Sequence, residues 1–178
     1  MRSNILLVLI AVTIVVIAGC ASTGGWNKIE TPTDPDYLYA TGTAESKDLQ
    51  VAIDKATMNA RTEIARQLEL KLNTLQKSFA EEVGNIDTEL NQLYSSATKA
   101  VVSTQLIGSK IKESKYKEEN GKYRAVVMVE YPIANANAAL VDQIKKEQNL
   151  YTRFRASEGF KELEAEVEKL EKLKKEQK

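Results

Sequence analysis

The chain has 178 residues with 25 basic and 25 acidic side chains, so its formal net charge at pH 7 is +0. This balance provides no global positive field, and we therefore expect no nucleic-acid partner. The chain contains no histidine, which excludes the usual histidine-containing zinc sites, Ser-His-Asp triads and Cys-His dyads.

Residues 1–19 have the pattern of a secretory signal peptide. A single positive charge at Arg2 precedes an apolar run, Ile5 to Ala18, and small residues follow. This run is shorter than the about 20 apolar residues that a membrane-spanning helix needs. The sequence therefore predicts export from the cytoplasm.

Cys20 is the only cysteine of the chain and directly follows this segment. The residues Ile17-Ala18-Gly19-Cys20 resemble the bacterial lipobox. The resemblance implies cleavage between Gly19 and Cys20, with a covalent diacylglycerol and an N-acyl lipid on Cys20 as the membrane anchor. The alternative is an uncleaved anchor helix in which the cysteine is incidental.

Residues 20–36 are predicted to be the lipidated cysteine and a flexible tether, because small residues, glycines and prolines predominate. Fully extended, the tether spans on the order of 50 Å. Trp26 lies either at the membrane interface or on the following domain. Ala21, rather than Asp, follows the cysteine, which resembles the pattern that directs Gram-negative lipoproteins to the outer membrane. We therefore expect an outer-membrane anchor with the domain facing the periplasm, the cell surface being the alternative.

Residues 37–157 are predicted to form an α+β domain. Alternation in Tyr37–Ala44 predicts a strand, with Leu38, Ala40, Gly42 and Ala44 on one face. Ser46 is the predicted N-cap of a long helix that ends at Gly84. Apolar residues three or four apart line one face of that helix, including alanines at 52, 56 and 60.

The rest of this domain is predicted as a helix, a hairpin and a third helix. The second helix covers about Asp87 to Gln105. Asn120-Gly121 predicts a tight hairpin turn between a polar strand and the valine-rich strand Tyr123–Tyr131. A helix from about Asn135 to Ser157 follows. The predicted order is β-α-α-β-β-α, with a small sheet of about three strands packed on long helices.

Residues 158–178 are predicted to form a charged helical tail. Its apolar residues repeat with heptad spacing over two heptads and are the candidate self-association residues: Phe160, Leu163, Val167 and Leu170. Two heptads are fewer than a firm coiled-coil prediction requires. The alternatives are packing of the tail against the domain and fraying.

No residues with a catalytic, cofactor-binding or metal-binding pattern stand out. The carboxylate pairs Glu81-Glu82 and Glu118-Glu119 fall on a predicted helix surface and in a turn, where solvated charges are expected. A run of lysines (110, 112, 115 and 117) is interpreted as protection of an edge strand, with contact to peptidoglycan carboxylates or to an acidic partner as the alternative.

Several motifs together resemble the twenty-kilodalton Helicobacter-type membrane lipoprotein family and the related flagellar basal-disk lipoproteins. They are the lipobox, Gly42-Thr43-Ala44, the alanine-spaced helix, Asn120-Gly121-Lys122-Tyr123 and Tyr131-Pro132. The resemblance covers roughly residues 37–145. Many members carry a further glycine where this chain has Ala40. The resemblance implies an α+β envelope domain without a cofactor and, in some members, ring-forming self-association.

We therefore expect a non-enzymatic envelope lipoprotein that is anchored by lipid at Cys20. Its expected role is structural or in assembly, with a link to motility, as a homo-oligomer or with an envelope protein partner. The alternative is a ligand-binding or regulatory lipoprotein, which a deep apolar pocket between the sheet and the helices would favour.

Overall fold

The computed structural model describes residues 25–84 and 87–176, with the backbone alone at 104–107, 170–171 and 173–176. Three strands and five helices lie in these residues: β1 (Tyr37–Ser46), α1 (Leu49–Val83), α2 (Thr88–Gly108), β2 (Lys110–Glu119), β3 (Lys122–Pro132), α3 (Ile133–Lys146), α4 (Gln148–Phe154) and α5 (Glu158–Glu176). The predicted α+β class is confirmed. The third predicted helix is divided in two, because Glu147 adopts an extended conformation (φ −100°, ψ 97°) between α3 and α4.

The strands form one antiparallel sheet in the order β1-β3-β2. Strand β3 lies in the centre, where its valines are covered from both sides. Asn120 and Gly121 connect β2 to β3 with positive φ values of 53° and 69°, as a two-residue type I′ turn requires. The hairpin predicted from these two residues is confirmed. Strand β2 occupies an edge and contains a register shift between Ile111 and Glu113.

One face of the sheet, here called the inner face, packs on α1. The inner face of β1 has the small residues Ala40 and Gly42, and α1 presents Ala52, Ala56 and Ala60, all fully buried. A Cβ atom at Gly42 would lie 2.0 Å from the carbonyl oxygen of Ala56. Glycine at position 42 is therefore required for the close approach of strand and helix.

Helix α1 begins two residues later than the predicted N-cap implies. The carboxylate of Asp48 accepts a hydrogen bond from the Val51 amide at 2.9 Å, so Asp48 is the N-cap. The hydroxyl of Ser46 instead accepts a bond from the Asp48 amide at 3.2 Å, which orients the capping residue. The predicted cap at Ser46 is therefore wrong. The predicted helix end is confirmed, because Gly84 has a positive φ of 82°.

An aromatic cluster extends the same core toward the C-terminal end of α1. The ring of Phe79 contacts those of Phe154 and Phe160, with centroids 5.4 and 5.9 Å apart. Tyr94 from α2 packs edge-on against Phe154, and its hydroxyl donates to the Leu72 carbonyl at 2.9 Å. These contacts join α1, α2, α4 and α5 into one helical layer.

Candidate interaction surfaces

The two residues at the predicted processing site, Gly19 and Cys20, lie outside the described residues. The described part of the chain begins at Gly25, five residues after Cys20. None of the helices within residues 25–84 and 87–176 combines the length and the apolar composition needed to cross a membrane.

The segment of residues 25–36, here called the strap, crosses the outer face of the sheet. Ile29 is buried against Val126 and Met128, and Trp26 packs partly buried on the same cluster. The ammonium group of Lys115 on β2 donates to the Lys28 carbonyl at 2.9 Å. Of the two positions that the sequence allowed for Trp26, the structure has the one on the domain.

The end of the strap is attached to the end of β3. A turn at Asp34 brings the chain into β1, with the Asp34 carboxylate accepting from the Asp36 amide at 2.9 Å. The Asp36 carbonyl then accepts from the Ile133 amide at 2.9 Å, at the start of α3. Both ends of the strap are therefore held by the folded domain.

The outer face of β1 carries partly buried aromatic rings beside the strap. The rings of Tyr37 and Tyr39 are stacked with centroids 6.0 Å apart, and the Lys112 ammonium lies 5.4 Å from the Tyr39 ring centroid. Desolvation raises the pKa of the Tyr39 phenol, and the charge of Lys112 opposes part of this rise. The hydrogen bond from Lys112 to Glu130 at 2.8 Å raises the pKa of the lysine. The site therefore keeps a neutral phenol beside a paired ammonium at neutral pH.

The edge position predicted for the lysine-rich strand is confirmed, since β3 is the only strand among the described residues with which β2 pairs. Lysines of β2 form ion pairs with nearby carboxylates: Lys112 with Glu130, Lys115 with Glu113 and Lys117 with Glu119, at 2.8, 3.2 and 2.6 Å. Three of the four lysines of this strand are therefore paired with carboxylates, which reduces the net positive charge along the edge.

The inner side of β2 carries exposed apolar residues. Ile111 and Tyr116 are 49% and 57% exposed, because α1 packs on β1 and β3 and does not extend over β2. Apolar residues exposed singly are common on folded proteins. These two residues are separated by Ser114 on the same side of the strand, so they do not form a continuous patch.

The tail residues predicted for self-association lie mostly in the core. Phe160, Leu163 and Val167 are buried within this chain, and the side chain of Leu170 is outside the described part. Beside this apolar face, the partly buried carboxylate of Glu164 pairs with Lys145 of α3 at 2.6 Å. The three buried side chains are thus used within the monomer and are not available to a partner while α5 stays packed.

The interface between the sheet and α1 is closely packed at Gly42, which leaves no room there for a ligand. A surface groove of about 580 Å³ lies elsewhere, near the starts of β1 and α3. Its lining combines apolar residues with charged ones: Pro35, Asp36, Tyr37, Lys71, Pro132, Ile133, Ala134, Asn137, Glu166 and Lys169. A deep apolar pocket between the sheet and α1, which would favour the ligand-binding hypothesis, is therefore not present at Gly42.

The carboxylate pairs are exposed, as expected. Glu81 and Glu82 lie on the surface of α1, and Glu118 and Glu119 lie at the end of β2. Glu119 pairs with Lys117, and this hydrogen bond lowers its pKa. Within the part of the chain that the structure describes, no group of three or more metal-ligating side chains comes together.

Comparison with known proteins identifies one family. Residues 25–130 match the sequence model of a family described as LPP20 lipoprotein, and this match covers 106 of the 178 residues. It begins at the first described residue and ends within β3, so the strap lies inside it. No curated protein sequence is significantly similar to the chain.

Among solved structures, a hypothetical protein from Francisella tularensis is similar at 19% identity, with a TM-score of 0.37. The alignment covers 69% of this chain and 46% of the other, so this chain spans less than half of that protein's length. A likeness this weak supports no conclusion about the fold or the function.

Proposed function

The chain belongs to the LPP20 lipoprotein family, and we propose that it is a structural or assembly component of the bacterial cell envelope, anchored by lipid at Cys20. The family membership itself indicates a membrane-anchored envelope lipoprotein. In more detail, we propose that the protein is anchored in the outer membrane and that its domain faces the periplasm. We also propose that it self-associates and has a link to motility.

The observation that carries the proposal is the family match to residues 25–130, a folded unit that begins five residues after the lipobox-like cysteine. Acyl chains on a cysteine hold a protein to a bilayer without a spanning helix. A strap and an α+β domain directly after such an anchor are the arrangement expected for a membrane-held protein.

The packing of the domain supports an assembly role over a binding role. The backbones of β1 and α1 are in close contact at Gly42. Between the helices, the core is packed with fully buried aromatic side chains: Phe79, Tyr94, Phe154 and Phe160. Close packing at these positions favours binding at the surface of the domain. We propose that the partner is another copy or an envelope protein, bound at the outer surface.

Self-association is tested by light scattering on the chain starting at Ala21, over a wide range of concentrations. A discrete or concentration-dependent oligomer is expected. The proposed interface excludes Phe160, Leu163 and Val167, because their side chains lie in the core. A strict monomer at every concentration would remove self-association from the proposal.

Anchoring is tested separately by Cys20→Ser. The expected result is a protein that is not acylated and retains its signal segment, because the thiol is the nucleophile that forms the thioether. Normal acylation of this variant would refute the lipobox interpretation.

One observation favours a second function, a regulatory or ligand-binding lipoprotein. The groove of about 580 Å³ combines apolar walls at Tyr37 and Ile133 with charged residues at Lys71, Glu166 and Lys169, which suits an amphiphilic ligand. A monomeric domain whose melting temperature rises with an envelope lipid or glycan fragment would favour this function over assembly.

A further inference from the structure

The strap shortens the distance that the tether can span. A free chain over residues 21–36 reaches on the order of 50 Å, whereas the five residues from Cys20 to Gly25 reach at most about 18 Å. The start of the strap is held on the domain by Trp26 and Ile29, which pack against Val126 and Met128. A lipid anchor at Cys20 would therefore keep this part of the domain close to the bilayer.

The contacts of the strap also define which side of the domain lies close to the bilayer. Val126 and Met128 lie on the outer face of the sheet, opposite the face that packs on α1. Lys28 contacts Lys115 of β2, so the strap starts beside the β2 edge of that face. Helix α1 lies on the other side of the sheet, and a helix alone adds about 10–12 Å of thickness.

We propose that the strap orients the domain on the membrane, with the outer face of the sheet and the β2 edge toward the phospholipid headgroups and the helical layer facing away. The proposal rests on acylation of Cys20, which is part of the proposed function. It assigns the bilayer as the partner of the outer face and leaves the helical layer for protein partners.

The lysines along β2 suit a position beside headgroups. The side chains of Lys115 and Lys117 remain 41% and 50% exposed, although each is paired with a glutamate at the protein surface. Ammonium groups with flexible stems can contact lipid phosphates at such an interface. The face carries acidic partners as well, so its contact with the bilayer follows from the anchor and strap rather than from net charge.

The test uses the full chain, acylated in cells, purified and placed in phosphatidylcholine vesicles that contain a headgroup-labelled acceptor lipid. With Cys20 acylated, a new cysteine carries the only free thiol and accepts a donor dye. Thr41→Cys labels the outer face of the sheet, and Thr62→Cys labels the exposed side of α1. We expect higher energy transfer to the lipid from position 41 than from position 62.

The second part of the experiment releases the strap from the sheet. Trp26→Ser with Ile29→Ser removes its apolar contacts, and the difference in transfer between the two labelled positions should be lost. The matched control, Met58→Ser with Leu70→Ser, removes two exposed apolar residues of α1 and should preserve the difference. The proposal would be overturned if positions 41 and 62 showed equal energy transfer in the chain with an unaltered strap. It would also be overturned if the difference between these positions persisted in the Trp26→Ser, Ile29→Ser variant.

Trp26 gives a readout that does not depend on the released variant being folded. It is the only tryptophan, so the emission of the unaltered chain reports on the strap. Emission is expected at shorter wavelength than that of the denatured chain, with a red shift in Ile29→Ser. If Trp26 in the native chain emitted at the wavelength of a fully solvated indole, the proposal that the strap is packed on the sheet would be overturned. An intact mass without acyl groups on Cys20 would instead refute the proposed function.

Discussion

Gly42 is the position where β1 and α1 come closest, and Gly42→Ala tests the packing of the domain. The added Cβ would lie 2.0 Å from the Ala56 carbonyl oxygen and 2.5 Å from the Ala60 amide nitrogen. Both are backbone atoms of a helix, so no rotation of a side chain relieves the contact. The strand and helix must separate until the 2.0 Å contact approaches the ordinary 3.4 Å.

Overpacking of this kind costs about 1–3 kcal/mol, and the separation also loosens the buried alanines of α1. We therefore expect the upper end of this range, which corresponds to a fall in melting temperature of roughly 6–12 °C for a domain of this size. Thermal and urea unfolding, followed by circular dichroism, measure this loss of stability.

Gly159→Ala is the matched control. Its added Cβ would lie 2.9 Å from a carboxylate oxygen of Glu82, at the end of a flexible side chain, and 3.3 Å from a ring carbon of Phe79, so these side chains need to shift only by a fraction of an ångström. We expect a change in unfolding free energy within about 1 kcal/mol, the size of the difference in helix propensity between glycine and alanine. An unchanged melting temperature in Gly42→Ala, or equal losses in the two variants, would refute the close-packing argument.

Three further predictions concern the stability of individual elements. Asp48→Ala removes the hydrogen bond to the Val51 amide and should lower the unfolding free energy by about 0.5–2 kcal/mol in urea titrations, without abolishing the fold. Burial raises the pKa of the Tyr94 phenol, so its ionisation opposes folding and stability should fall as the pH rises above about 10, the value in the unfolded chain. Tyr94→Phe should show a smaller fall in stability between pH 8 and 11, and an identical slope would contradict this assignment. Phe160→Ala should cost about 3–5 kcal/mol, because the ring is fully buried; a loss below about 1 kcal/mol would show that α5 is not part of the core.

Much of the sheet and the first helix could be predicted from residue periodicity. Alternation placed Ala40 and Gly42 on one face of β1, and the alanine spacing placed Ala52, Ala56 and Ala60 on one face of α1; all five are buried in the structure. These patterns are local and depend only on the repeat of a strand or a helix. The Asn-Gly turn is similarly local, because few residues adopt positive φ without strain.

The strap could not be predicted in the same way, because its packing depends on residues far apart in the chain. Its single glycine, two prolines and two threonines are typical of a flexible tether, and Trp26 and Ile29 are isolated apolar residues. The available signal was on β3, where Val126 and Met128 formed a second apolar face that needed a cover. Periodicity shows that such a face exists but not which segment covers it.

The tail shows a second limit of periodicity. Phe160, Leu163 and Val167 have the spacing of an amphipathic helix, and this spacing is the same whether the apolar side meets another chain or the same domain. The aromatic rings at Phe79 and Phe154 provide the surface that α5 contacts. The break at Glu147 also lacked a local signal, since neither glycine nor proline marks it.

The central claim is that the chain is held at a membrane by lipid on Cys20, and mass spectrometry of protein extracted from membranes tests it most directly. The account predicts a mature N-terminal peptide that begins at Cys20 and carries the added masses of a diacylglyceryl thioether and an amide-linked acyl chain. A peptide that begins at Met1, or a processed chain with a free thiol at Cys20, would contradict it.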